Sequence, residues 1–481
     1  MSLRLLGKNT AIYSIGNVGA RATVFLLIPL YTHFLSIADY GLLATLQATI
    51  QIMAILMSFG MRTALLRFTS EYEARNHLGT LLGTSIVVNL AGSILVTGMA
   101  FTCLTPLFKV ILHTADVHQY VGMVCGAAWA QAMSTHITSY YQAQNKALKY
   151  MVAGVSVAIG LLVTTSVFVC VLGRGVEGAL WAFILTHVIV TTIVSLDVLR
   201  RTGVGMSFSL VPTLIRFGFP LVFSMCSELT MGTAGVYFLG YFAGLETVAT
   251  YSLGYKLAQI LLITTLSPFS LAFQPYVFSN LDNLNNRPKI ARAFTHAILA
   301  ATLMSFCIIL GTRALLPFIA PPAYAPAFLV VLFLVPGMTF VGIYYFGETL
   351  LSAVKKTYTI GYIATAVAIF SLLLNYLLVR TLNWYGAAFA LNVSFILVGC
   401  ALAIIGIRQF SIILEWKRIR ILGCVFMSFL VLFFALRSFE VVPFTLVSLL
   451  SGLLCVSILL RRGFLYEDER LALSGLFARL R

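Results

Sequence analysis

Apolar residues run along this chain in long stretches, each broken by a short cluster of charge, glycine or proline. The stretches reach about 17–25 residues, the length at which a helix rising 1.5 Å per residue crosses about 30 Å of hydrocarbon. The pattern predicts helices near 10–30, 41–60, 80–101, 119–139, 151–171 and 176–196. A second set follows near 217–241, 250–272, 291–312, 328–350, 358–379 and 386–407, with a last pair near 419–436 and 444–460. Helices are the open-chain solution in lipid, because every backbone donor and acceptor must be paired within its own segment. The expected fold class is therefore all-α, a polytopic membrane protein of about 14 transmembrane helices.

Composition sharpens this. Of 481 residues, 60% are hydrophobic and 10% charged, against roughly 25% charged in a soluble domain. A cytosolic enzyme, a secreted disulfide scaffold and a nucleic-acid-binding domain are excluded, although a net charge of +16 first invites the last. With the N-terminus placed in the cytoplasm, the inner segments hold 24 of the 31 Lys and Arg residues and the outer segments five, Lys109, Arg174, Arg313, Arg380 and Arg437. Retention of basic residues on the cytoplasmic side orients membrane proteins, so both termini are expected in the cytoplasm. No segment between spans exceeds about 20 residues, which leaves no room for a soluble catalytic domain. The N-terminus lacks a short apolar core followed by a cleavage site, so the first span is read as retained. The eight cysteines include no C-x-x-C pair and read as packing residues, with no cofactor or metal expected.

Two stretches about 210 residues apart are alike. "YTHFLSIADYGLLATLQ" at 31–47 matches "GYFAGLETVATYSLGYKLAQ" at 240–259, and "VEGALWAF" at 176–183 matches "WYGAAFAL" at 384–391. The basic loops "QAQNKALKY" and "LSAVKKTYT" fall at a similar spacing. Each copy contains an even number of spans, so the copies share one orientation, as in transporters whose substrate lies between two rocking halves. The expected organisation is a V-shaped pair of six-helix lobes, residues 1–205 and 206–408, with residues 409–481 forming an additional helix pair and a cytoplasmic tail.

A first span ending "LLIPLYTHFLSIADYGLL", a second ending "SFGMRTALLRFTSEY" and the mid-chain "RFGFPLVFSMCSELTMGTAGVYFLGYFAGLETVATYSLGYKL" resemble the polysaccharide transporter family of the multidrug/oligosaccharidyl-lipid/polysaccharide exporter superfamily. The resemblance implies a flippase, not an enzyme, that moves polyprenyl-linked oligosaccharide across the cytoplasmic membrane by alternating access in surface polysaccharide biosynthesis, O-antigen assembly included. It implies membrane lipid around the protein, a polysaccharide polymerase and glycosyltransferases as pathway partners, and no nucleic acid.

Such a substrate has a pyrophosphate, a glycan and a polyprenyl tail, and each needs a different surface. Ionisable residues at membrane depth mark pathways, and four stand out: Arg21, Glu228, Lys256 and Glu348. Arg21, in "GNVGAR", is either a lumen cation for the pyrophosphate, since a guanidinium matches phosphate oxygens, or an anchor at the inner surface. Glu228 maps through the repeat onto position 17, one turn before Arg21. The two make a structural pair, a coupling site for proton or sodium, or a gate that phosphate opens. Lys256, beside Tyr255 and Gln259, is either a second cation for substrate or a snorkelling side chain. Glu348 reads as an interfacial partner of Lys355 or Lys356. Among many intramembrane amides, Asn89 and Gln131 are carried as glycan-lining candidates; His136 and His187 read as packed residues. Pro220, Pro268, Pro275 and Pro336 are plausible bending points.

Two rivals stand beside the flippase. A multidrug or cation antiporter of the same superfamily typically has 12 spans and an acid in the first. A membrane-embedded enzyme of the polysaccharide pathway commonly needs a sizeable outer loop.

Overall fold

The computed structural model describes residues 25–112, 117–203, 205–280, 286–354 and 356–436. Every regular element among them is helical. The chain enters with α1 (Phe25–Phe34), followed by α2 (Ile37–Ser58), α3 (Met61–Ala74), α4 (Leu78–Leu112), α5 (Val117–Ala143), α6 (Ala147–Thr165) and α7 (Gly175–Thr202). It continues with α8 (Val211–Phe242), α9 (Leu245–Ala258), α10 (Ser267–Asn280), α11 (Arg287–Ile319), α12 (Ala327–Ala353), α13 (Thr357–Leu382), α14 (Trp384–Phe410) and α15 (Trp416–Ala435). Eleven of the described helical segments are long and apolar enough to cross a membrane, which makes this a multi-pass membrane protein.

Local chemistry explains the boundaries. The Ser36 hydroxyl accepts a hydrogen bond from the Asp39 amide at 3.1 Å and caps α2, satisfying one of the amides a helix start leaves free. At its far end Phe59 and Gly60 take left-handed conformations, with φ of 46° and 71°, and part α2 from α3. Residues 61–74 lie between the expected spans 41–60 and 80–101, and they are helical because Met61, Ala64, Leu65 and Thr69 form a buried stripe that packs on α4 and α5. Helix α5 occupies an expected span without being among the eleven apolar segments. Enclosed by α2, α3, α4 and α7, it does not meet lipid on every side, and protein can pair with its polar side chains. A π-helical turn, Leu262–Leu266, joins α9 to α10 immediately before Pro268, where the proline cannot donate to the helical ladder. The expected span 444–460 lies outside the described residues.

Helices α2–α7 pack on one another, as do α8–α14. The two groups meet chiefly along α2. Near one end Gly41 abuts the Leu245 backbone carbonyl so closely that a Cβ would overlap it. At the other end Gly60 abuts Gly218 in the same way, with Phe59 and Phe219 rings 5.4 Å apart beside them. The Gly60 end carries the basic loops. Beside this seam, side chains of both groups wall a cavity.

Candidate functional site

The cavity measures about 630 Å³ and is walled by both groups of helices. From the first group come Phe25 of α1, Gln51 and Ile55 of α2, and Gln131 of α5. From the second come Glu228 of α8, Tyr255, Lys256 and Gln259 of α9, Tyr345 of α12 and Phe395 of α14. Three of the expected site residues, Gln131, Glu228 and Lys256, thus share one wall-lined space although they are far apart in sequence.

Lys256 bridges the groups. Its Nζ donates to Gln47 Oε1 at 3.1 Å and lies 5.0 Å from the centre of the Tyr40 ring. An ammonium over an aromatic face is attracted by the ring quadrupole, and both partners here are neutral, so the positive charge is solvated without being cancelled. Tyr40 is fully buried and is held edge-on by Tyr324, with ring centroids 5.8 Å apart.

Glu228 supplies negative charge to the same wall, one helical turn before Gly232. A Cβ at Gly232 would crowd the Tyr255 hydroxyl, so the missing side chain admits that phenol to the cavity. Glu228 is within electrostatic reach of Tyr255, Tyr344 and Glu348. Of the two lysines expected beside Glu348, Lys356 donates to Gln409 Oε1 at 2.8 Å. Lys355 and Arg21 lie outside the described residues, and so does the expected Arg21–Glu228 pair.

The Oε1 atom of Gln131 is buried, with no hydrogen-bond partner among the described residues. Asn89 lies elsewhere. It is fully buried on α4, accepts from Ser93 Oγ at 3.5 Å, and sits one turn from Ser85, which meets His136 Nε2 at 3.0 Å. It does not line the cavity. His187 packs against Phe183.

Gln51, Tyr255, Gln259 and Tyr345 join the wall without standing among the expected site residues. Helical spacing is a signal that finds two of them. Gln51 stands four residues after Gln47, and Gln259 three after Lys256, the spacings that put two side chains on one helix face.

Comparison with known proteins bears on the family and the fold. A family profile described as "Polysaccharide biosynthesis protein" matches residues 6–281, more than half the chain. No curated protein matches the sequence significantly. Among solved structures, an outward-facing multidrug resistance MATE family transporter of the MOP superfamily aligns at 16% identity, TM-score 0.60, over 84% of this chain and 96% of its own. A MOP superfamily transporter from Pyrococcus furiosus, described as having a binding pocket of reverse polarity, aligns at 15% identity, TM-score 0.59, over 84% and 96%. A Vibrio cholerae MATE transporter aligns at 16% identity, TM-score 0.59, over 85% and 97%. At these identities the likeness is one of fold, and the fold is that of membrane transporters.

Proposed function

Since the chain belongs to the polysaccharide biosynthesis protein family, we propose that it translocates a polyprenyl-linked oligosaccharide across the inner membrane by alternating access. The observation that carries this reading is the cavity between the two helix groups, where amides, phenols and one lysine share a wall. Lys256 is the phosphate contact in the described wall, and Arg21 is assigned the same role. An incoming phosphate replaces Gln47 and Tyr40 as the partner of the Lys256 ammonium, exchanging neutral ligands for an ionic one.

Gln51, Gln131 and Gln259 meet glycan hydroxyls. The bare Gln131 oxygen has most to gain, because an unsatisfied polar atom at membrane depth costs several kcal/mol. Tyr255 and Tyr345 offer faces to sugar rings. Glu228 acts as the coupling or gating acid. Residues 1–205 and 206–408 act as the two lobes, with the basic end and both termini in the cytoplasm, supported by the skew of 24 basic residues against five.

A multidrug antiporter is the second reading, and the MATE neighbours favour it. Reconstituted vesicles separate the two. The flippase exposes a preloaded lipid-linked glycan to an impermeant glycosidase, and Glu228→Gln makes that rate insensitive to an imposed proton gradient. Transport of a cationic dye without movement of the glycan would overturn the proposal.

A further inference from the structure

A second cavity, of about 610 Å³, lies on the other side of α2 and α8 from the polar one. Helices α2 and α4 wall one side with Met53, Leu95 and Met99, and α8 and α13 wall the other with Phe219, Phe238 and Leu372. Thr49 and Tyr237 also reach it, but their hydroxyls are hydrogen-bonded to each other at 3.0 Å. The rest of the described lining is apolar. Phe59 against Phe219 closes the basic end. Leu95, Met99 and Leu372 are 56%, 57% and 40% exposed, so the cavity opens sideways between α4 and α13. Along α4 it extends from Leu95 to Leu107, about 18 Å at 1.5 Å per residue, more than half of a hydrocarbon layer of about 30 Å.

We propose that this groove binds the isoprenoid tail of the substrate while the phosphate and glycan occupy the polar cavity. The proposal rests on the flippase reading. The two cavities are separated by the wall that α2 and α8 form, since Thr49 and Gln51 on α2 and Gly232 and Ala234 on α8 lie two residues, about 200° of helix, apart. A tail seated here is held by both helix groups, as the head is. Aromatic faces and flexible methionines fit a methyl-branched, unsaturated chain, and the groove presents no unmet polar group to such a chain. The Thr49–Tyr237 bond, worth about 1 kcal/mol between membrane helices, is a weak staple on the seam that the phosphate–tail linkage crosses.

The test uses the full chain in phosphatidylethanolamine–phosphatidylglycerol vesicles, with a benzophenone amino acid replacing Met99 in the groove or Ile94, which is 75% exposed and outside it. The probes are tagged polyprenyl phosphate and tagged phosphatidylglycerol. Expected is several-fold stronger polyprenyl labelling at position 99 than at 94, and equal phosphatidylglycerol labelling at both. Ala100→Phe and Ala234→Phe, which fill the groove, bring polyprenyl labelling at 99 down to the level at 94. Equal polyprenyl labelling at the two positions, or preferential phosphatidylglycerol labelling at 99, would overturn the proposal. Polyprenyl labelling needs no transport, so labelling at 99 without glycan movement removes the flippase reading and keeps the groove. Glycan movement without that labelling does the reverse.

Discussion

Lys256 shows how one side chain carries both structure and chemistry. Its ammonium is held by the Gln47 amide and the Tyr40 ring, which together replace water without supplying a counter-charge. In the proposed function a substrate phosphate brings that charge, and a hydrogen bond between ionised groups is worth about 1.5–3 kcal/mol. Lys256→Met is expected to slow glycan transport by about tenfold or more at unchanged membrane abundance, in keeping with the loss of one such bond. Lys256→Arg is expected to retain much of the activity, because a guanidinium also stacks on aromatic faces and pairs with phosphate. Flipping assays on both variants in one vesicle preparation check this. Equal activity of Lys256→Met and wild type would remove the residue from the site.

Helices α2 and α9 approach as closely as backbone allows, and the reason is Gly41. A side chain there meets the Leu245 carbonyl and the Ala249 amide, neither of which can rotate away. Gly41→Val therefore forces the two helices apart and moves Gln47 from Lys256, which lies on the same pair of helices. Slower transport and a lower melting temperature in detergent are expected. Gly98→Val, at a position with open space around it, is expected to leave both unchanged. A matching effect of the two substitutions would show that the close approach is dispensable. The element scale is also where the sequence pattern was least complete. Helix α3 falls between two expected spans because its charged face, with Arg62, Arg67, Glu71 and Glu73, outweighs a stripe of only four buried residues.

At the scale of the whole molecule, the two helix groups meet along α2, so the proposed head-group site and the proposed tail groove both lie where the groups meet. Any motion of one group against the other alters both cavities together. Orientation in the membrane is a whole-molecule property too. With the basic end in the cytoplasm, a cysteine at Ser36 is expected to react with an impermeant maleimide on intact cells. A cysteine at Asn145 is expected to react only after the membrane is opened. The native cysteines are first replaced by serine. The reverse pattern would invert the protein.

The sequence by itself determined the class of the protein, because membrane-length apolar runs and a one-sided distribution of Lys and Arg are properties of segments and need no knowledge of neighbours. It also singled out Glu228, Lys256 and Glu348, since an ionisable group in an apolar run is conspicuous without any structure. Tertiary structure alone decided which of those groups share a space, that Gln51 and Gln259 join them while Asn89 is enclosed on α4, and that a hydrocarbon groove lies alongside. Such facts depend on how helices distant in sequence are rotated and how closely their glycines let them meet. Hydropathy records how apolar a helix is, but not which of its faces looks into the cavity.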